Sequence, residues 1–471
     1  VRATALALVF LALGSACRAT SKDELVWGGD IQGGEPYAFE DPADPSRIIG
    51  FEVDIVDDLA RRLGVRARFR HCAWSNLVPS LERGDFDMIV NGLEATPERD
   101  ETLLLSRPYF VYAETLAIRK GSMLRTLEAL AHKRVGTLNQ TYARDLLQNR
   151  PLEIVLYEGG AEPYLDLAAG RIDAVLLDNI VADRFGCKND AIECVPEDVA
   201  RGTYVVGMRK SDGALKAAVD GGLEAMIADG SLRRILEKWK LFDARQADPI
   251  ATRSDIDAHP RSPLDARAIL LFFEGSAVTL YLATASFLLA MVLGSLLAIV
   301  RTHGRRTRGF ASAYIELFRG TPLLLQLYLI YYGLAPIWKL DAVSAAILGL
   351  GLNYAAYEAE VYRGALQSLP KGQSEAAHAL GLGTWGTLRH VLFPQALRAA
   401  LPAMTNDFVA LLKDTSIVSV IAVVELTKRT TITAVDVRSW LVPGIACAAL
   451  YFAISFPLAK LSQRLERRLH V

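Results

Sequence analysis

Near residue 265 the chain changes character, and one compact core cannot accommodate both sides of the change. Residues 21–248 are rich in charge, with short apolar runs and no stretch of spanning length. Residues 266–471 carry five apolar segments, near Leu270–Val300, Phe310–Ile337, Ala342–Val361, Thr405–Val424 and Trp440–Leu461. Each is long enough to cross about 30 Å of hydrocarbon as a helix. Asp407, Lys413 and Asp414 interrupt the fourth. Residues 249–265, polar and carrying Pro and Asp, read as a linker. The whole-chain balance, a formal net charge of −1, leaves no basic footprint for nucleic acid. A soluble single-domain enzyme is excluded by the length and by the apolar segments together.

Loop charge orients the spans. Arg301, Arg305, Arg306 and Arg308 follow the first, Arg363, Lys371, Arg389 and Arg398 the third, and Arg464, Arg467 and Arg468 the fifth. The second loop holds only Lys339 and Asp341, while the fourth, with Lys428, Arg429 and Asp436, is a mild exception. Basic loops after the odd spans place the C-terminus inside and residues 21–248 outside. Residues 1–20 agree independently: Arg2, a short apolar run and Gly14-Ser15-Ala16-Cys17 form an export signal, either cleaved or lipidated at Cys17. In an oxidising compartment the spacing of Cys187 and Cys194 favours a disulfide over two free thiols or a zinc site.

Within residues 21–248 helical and strand patterns alternate. Glu52–Leu63 places Val53, Val56, Leu59, Ala60 and Leu63 on one helical face and stops at Gly64. Val65–Phe69 and Phe86–Val90 read as strands around a helix at Leu77–Gly84, and a second such set runs from Arg134 to Asp178. Two α/β lobes around a cleft suit a hinge-closing binding protein.

The ordered series Gly50-Phe51-Glu52-Val53-Asp54, Gly84-Asp85-Phe86-Asp87, Thr96-Pro97-Glu98-Arg99, Ser106-Arg107-Pro108-Tyr109 and Gly170-Arg171-Ile172-Asp173 resembles the solute-binding proteins of polar amino-acid ABC importers. The resemblance implies an α/β two-lobe periplasmic-binding-protein fold (type II), with a free amino acid as ligand. It places Arg99 on the ligand α-carboxylate, where a planar guanidinium binds bidentately, and Asp178 on the α-ammonium. It also implies roles for Gly92 in the binding segment, Thr141 at a helix N-terminus, and Trp74 against the ligand side chain. A helix-surface arginine, a strand-end acid, a helix cap and a core tryptophan are the respective bland readings. Glu94 departs from the family, which usually has Ser or Thr there; as a carboxylate it receives a cation or pairs with Arg99. Gln140 and Tyr142 replace a typical Gly and Thr, and around Gly33–Tyr37 the ligand-stacking aromatic has no clear counterpart.

Beyond the linker, Glu375-Ala376-Ala377, three residues, Gly381, nine residues and then Val391-Leu392-Phe393-Pro394 resemble the cytoplasmic coupling loop of ABC importer permeases. With Arg319-Gly320-Thr321-Pro322 and Lys413-Asp414-Thr415-Ser416, the resemblance covers residues 266–471. It implies an all-α five-helix transmembrane permease domain (type I ABC importer) in a bacterial inner membrane. Glu358, Glu360, Lys413 and Asp414 are intramembrane polar residues that either line a solute path or pair within the bundle, and structural pairing is favoured for Lys413 with Asp414. No Gly-x-x-x-x-Gly-Lys-Ser/Thr loop occurs in the sequence. The family therefore implies that ATP is used by two separate ATPase subunits, that this chain holds no cofactor or metal, and that two permease domains form a homodimer in the bilayer. A ligand-gated channel or a dehydratase-like enzyme could use the same clamp, but neither accounts for the spans and the coupling loop.

Overall fold

A computed structural model of the chain describes residues 24–31, 34–247, 266–303, 307–437 and 439–469. The export signal with Cys17, Gly33 and the linker at 249–265 lie outside the described residues. The chain divides into two compact units, Val1–Ile154 with Gly159–Tyr164 and Ala174–His259, and Val155–Glu158 with Leu165–Asp173 and Pro260–Val471.

The first lobe begins β1 (Glu24–Gly29), β2 (Phe39–Asp41), β3 (Asp44–Ile49), α1 (Phe51–Leu63), β4 (Arg66–His71), α2 (Leu77–Arg83), β5 (Met88–Ile89), α3 (Pro97–Thr102) and β6 (Leu103–Leu105). The chain then crosses into a second lobe: β7 (Phe110–Arg119), β8 (Arg134–Leu138), α4 (Tyr142–Gln148), β9 (Glu153–Tyr157), α5 (Glu162–Ala169), β10 (Ala174–Asp178), α6 (Asn179–Phe185), β11 (Ile192–Cys194) and β12 (Ala200–Tyr204). It returns through β13 (Gly207–Arg209) and ends the clamp with α7 (Gly213–Ala228) and α8 (Ser231–Lys238). The first sheet runs β4-β1-β5-β13-β6 and the second β11-β7-β10-β8-β9, with β12 also on β7. In the first, β1 is parallel to β4 and β5, whereas β13 is antiparallel to its neighbours.

The two crossing segments bind each other. Ser106 and Val206 exchange hydrogen bonds, Ser106 N to Val206 O at 2.9 Å and Val206 N to Ser106 Oγ at 2.8 Å. Tyr109 N donates to Tyr204 O at 3.0 Å. Cys187 and Cys194 are joined as a disulfide.

Helix α1 shows how local sequence sets the packing. Two of its acidic residues, Glu52 and Asp54, lie in the first turn and Arg61 and Arg62 in the last, complementing the helix dipole. Gly64 then takes φ 71, a left-handed cap that costs a residue without Cβ little. The buried face is Phe51, Ile55, Val56, Leu59 and Ala60, rotated from the expected one because Val53 and Leu63 are only half-buried. Glu52 lies on that buried face.

The second unit is helical: α9 (Ala266–His303), α10 (Arg308–Gly320), α11 (Leu323–Tyr328), α12 (Ala342–Ser368), α13 (Lys371–Ala379), α14 (Thr384–Thr387), α15 (Phe393–Asp414), α16 (Leu426–Asp436) and α17 (Leu441–Leu469). Among the described residues, Ala268–Thr302 and Leu441–Arg464 are long and apolar enough to cross a membrane. Helices α9 and α12 pack through small residues. A Cβ on Gly294 would lie 2.7 Å from that of Glu358, and one on Gly351 would lie 2.6 Å from Leu289 Cδ2. Backbones approach this closely only where side chains are small, the packing by which helices associate without a hydrophobic drive.

Two expected spans need correction. The segment Phe310–Ile337 is not one helix: α10 stops at Gly320, Thr321 is extended at φ −116 and ψ 143, and α11 restarts after Pro322. Proline has no amide proton and disfavours helical geometry in the residue before it, so the ladder breaks there. Gln326 seals the break, its Nε2 donating to Phe318 O at 2.9 Å, Thr321 O at 3.1 Å and Thr321 Oγ1 at 2.7 Å. Asn353 Nδ2 adds bonds to Phe318 O and Gln326 Oε1, both at 3.1 Å. Gln326→Leu takes its donor from Thr321 O, leaves Phe318 O only Asn353 Nδ2, and should destabilise the helical unit by about 1–3 kcal/mol, read as a lower thermal midpoint. The fourth segment, expected at Thr405–Val424, instead starts at Phe393 and ends at Asp414. A tight turn over Thr415–Ile421 and a left-handed Ala422 at φ 61 then lead into α16.

Candidate functional site

Helix α3 presents Arg99. Thr96 caps it, accepting from Arg99 N at 3.2 Å, and Pro97 supplies a first-turn φ already suited to a helix. The guanidinium is held on several sides. Nη1 donates to Glu94 O at 2.8 Å and to Glu94 Oε2 at 3.1 Å, and Nη2 crosses to the second lobe, to Gln140 O at 2.7 Å. It lies 5.5 Å from the Trp74 ring, a cation–π contact. Trp74 itself donates from Nε1 to Asn139 O, also on the second lobe, at 3.1 Å. The cleft is therefore closed across Arg99 and Trp74.

Glu94 completes this constellation. The same oxygen, Oε2, that takes the Arg99 bond accepts from Tyr142 N at 3.1 Å, in the first turn of α4. Burial pushes the Glu94 carboxyl up to about 7, and the adjacent Arg99 opposes the rise. Of the two alternatives open in the sequence, the pairing with Arg99 is the one formed.

Asp178 ends β10 and caps α6, accepting from Val181 N at 2.9 Å. It also accepts from Tyr37 Oη at 3.0 Å, and Tyr37 and Tyr204 share a hydroxyl contact of 3.0 Å. Burial raises its carboxyl above the ordinary range. Capping and ligand binding are compatible, since a carboxylate has several lone pairs to offer. Gly92 sits at φ 58 against Tyr37, where a Cβ would come within 2.9 Å of the ring, so glycine lets that ring enter. Thr141 caps α4, accepting from Arg144 N at 3.4 Å and donating to Leu138 O at 2.9 Å. Both bonds are structural ones.

Three residues of this region were not singled out in the sequence. Tyr37 reaches the cleft from a Gly- and Pro-rich stretch where pattern is uninformative. Glu114 lies in the otherwise buried strand β7, directly opposite Asp178 in register. Glu52 accepts from Gly92 N at 2.6 Å and Tyr109 Oη at 2.5 Å. An acid on the apolar face of a helix or strand is the signal that marks the last two. Burial raises Glu52 from 4.5 to about 7. The folded chain thus keeps a proton that the unfolded chain loses, so stability should fall as pH rises from about 4.5 to about 7, by about 3 kcal/mol, and level off above it. Glu52→Gln should remove that share of the slope and leave the part due to Glu94, whose carboxyl is raised to the same value, seen in thermal midpoints across the window.

In the helical unit, α13 carries Glu375, Ala376 and Ala377. Ala377 is buried, whereas Glu375 and Ala376 are exposed, and Leu380 just beyond them is 85% exposed. Gly381 ends the helix at φ 82, in a place where a Cβ would meet nothing within 4 Å. The glycine is there for its backbone angle alone. Glu358 is fully buried on α12, with neither carboxylate oxygen hydrogen-bonded among the described residues. Glu360 pairs with Arg301 and, at 2.6 Å, with Arg363. The expected pairing of Lys413 with Asp414 is corrected: Asp414 accepts from Tyr354 Oη at 2.8 Å, and Lys413 is exposed. Successive helical residues point to different faces and do not meet.

A two-lobed α/β clamp followed by a helical unit with Glu375 and Ala376 exposed on a short helix that ends at Gly381 defines a solute-binding protein and a transport permease in one chain. Residues 29–242 match the bacterial extracellular solute-binding proteins, family 3, and residues 290–471 match the binding-protein-dependent transport system inner membrane component. The glutamine transport system permease protein of Escherichia coli strain K12 is 38% identical over 209 residues, 43% of this chain and 95% of that protein. The L-cystine transport system permease protein of Bacillus subtilis strain 168 is 38% identical over 199 residues, 41% of this chain and 85% of that one. Among solved structures, an ancestral arginine-binding protein bound to arginine is 27% identical, with a TM-score of 0.43, over 46% of this chain and 98% of its own. The chain belongs to the ABC-type amino-acid transport permeases, with a family 3 solute-binding domain fused ahead of the membrane domain.

Proposed function

We propose that residues 21–248 capture a polar amino acid or close analogue outside the membrane, and that residues 266–471 pass it inward. Asp178 receives the ligand ammonium, Arg99 and Trp74 line the opposite wall, and the paired strands at Ser106 and Val206 act as the hinge. The observation that carries this reading is the convergence of buried Glu94 with half-buried Arg99 and Asp178 on a cleft between two lobes joined by paired crossing segments. Buried ionisable groups gathered between mobile lobes are the mark of a ligand site rather than of a stabilising core.

The permease is read as five spans, the second broken at Thr321–Pro322, with the clamp extracytoplasmic and the C-terminus inside. Two copies form the translocation unit in the inner membrane, and two separate ATPase subunits seat against α13 and Gly381. This chain holds no cofactor of its own, and ATP acts only through those partners. Calorimetric titration of the full chain in lipid nanodiscs against the common amino acids tests the reading. At least one should bind, and a panel without a hit would contradict it.

A further inference from the structure

The cleft contains a carboxylate already seated where two donors meet. Glu94 Oε2 takes bonds from the Arg99 guanidinium and from Tyr142 N, each at 3.1 Å, one donor from each lobe. Arg99 also donates to the carbonyls of Glu94 and Gln140. Both partners are withdrawn from water, with side-chain exposures of 13% for Arg99 and 4% for Glu94. A ligand carboxylate entering this seat would have to expel Glu94 and leave a buried charge without its partner, which is strongly unfavourable.

The rest of the cleft is acidic. Asp178 and Glu114 are direct cross-strand partners in the antiparallel pair β10–β7, so their side chains leave the same face of the sheet. Glu114 is fully buried, and neither of its oxygens has a hydrogen-bond partner among the described residues; the Ala143 amide approaches without completing a bond. Like charges directly opposite one another destabilise a sheet unless something neutralises them. Burial, Glu94 and Asp178 together hold the Glu114 carboxyl well above the usual carboxylate range, a rise that a nearby cation would reverse. Three carboxylates therefore share the region with Arg99, which Glu94 already neutralises.

We infer that Glu94 fills the α-carboxylate seat itself, so that the cleft selects a small organic cation, an amine or guanidine, whose own carboxylate adds little to binding. This rests on the cleft being the ligand site and departs from a zwitterion clamp in one respect: the negative partner for Arg99 is built in. Specificity then lies in the ligand's cationic groups, the amine on Asp178 and a second, side-chain cation against Glu114.

Three arginine-like probes separate the contributions, titrated by calorimetry into the full chain in nanodiscs. Agmatine lacks only the carboxylate of arginine, and citrulline lacks only its side-chain charge. Agmatine should bind within about tenfold of arginine, and citrulline should be weaker than arginine by about a hundredfold or more. Glu94→Ser frees Arg99 and Tyr142 N, so it should widen the agmatine-to-arginine ratio of Kd by about tenfold or more. Agmatine weaker than arginine by over about tenfold in the wild-type chain, or citrulline equal to arginine, overturns the inference. The wild-type comparison stands even if the variant misfolds. Binding of a neutral amino acid with all cations rejected overturns the inference and leaves amino-acid import intact, whereas binding of nothing at all removes the cleft reading as well.

Discussion

Glu375→Ala should abolish ATP-driven uptake while leaving ligand affinity within about twofold of the unmodified chain. The residue lies exposed on α13, and its side chain belongs to a surface with Ala376 and Leu380 on view. Large apolar residues left in water beside a short helix are the kind of patch that a partner covers. Gly381→Val tests the same surface by another route. The φ of 82 lies in the left-handed region, which costs a β-branched residue roughly 1–2 kcal/mol or forces the turn to rebuild. No steric clash accompanies it, since a Cβ there meets nothing within 4 Å. Uptake into proteoliposomes and calorimetry on the same preparation separate coupling from capture. Equal loss of both after Glu375→Ala would contradict the division of labour.

Arg99→Ala should be the most damaging change in the clamp, lowering stability by about 3–5 kcal/mol. Its cost is not the value of the ion pair, which desolvation largely cancels. The loss comes from stranding Glu94, whose carboxylate is 4% exposed and would keep only its Tyr142 amide donor among the bonds described above. Removing both partners should therefore cost less than removing Arg99 alone. The double variant Arg99→Leu with Glu94→Leu should recover at least about half of the lost stability. Thermal unfolding of the single and double variants reads this directly; a double variant less stable than Arg99→Ala would contradict the account.

The division into an aqueous clamp and a membrane part was legible from hydropathy, because the two halves answer to different solvents. Helix α1 was legible from its apolar spacing and Gly64, yet Glu52 escaped notice because an acid is normally assigned to the wet face. Arg99, Glu94 and Asp178 could be placed by motif, but their relations could not: Arg99 and Asp178 are far apart in sequence, and only the folded cleft brings Tyr142 N onto the oxygen of Glu94 that Arg99 holds. The break at Thr321–Pro322 was hidden by averaging, since a hydropathy window continues smoothly across a proline whose carbonyls are rescued by Gln326. The fourth segment was displaced for a similar reason. Polar Asn406 and Asp407 lower its hydropathy midway, while the helix itself starts at Phe393, with Pro394 in its first turn.

The central claim is that the clamp and the Glu-Ala-Ala turn lie on opposite sides of one membrane. Cysteine reporters at Met123, which is 87% exposed in the clamp, and at Ala376 test it in a chain whose Cys17, Cys72 and Cys447 are replaced by serine. A membrane-impermeant maleimide applied to intact spheroplasts should label Met123→Cys at once and Ala376→Cys only after permeabilisation. Labelling of Ala376→Cys in sealed cells would contradict the account.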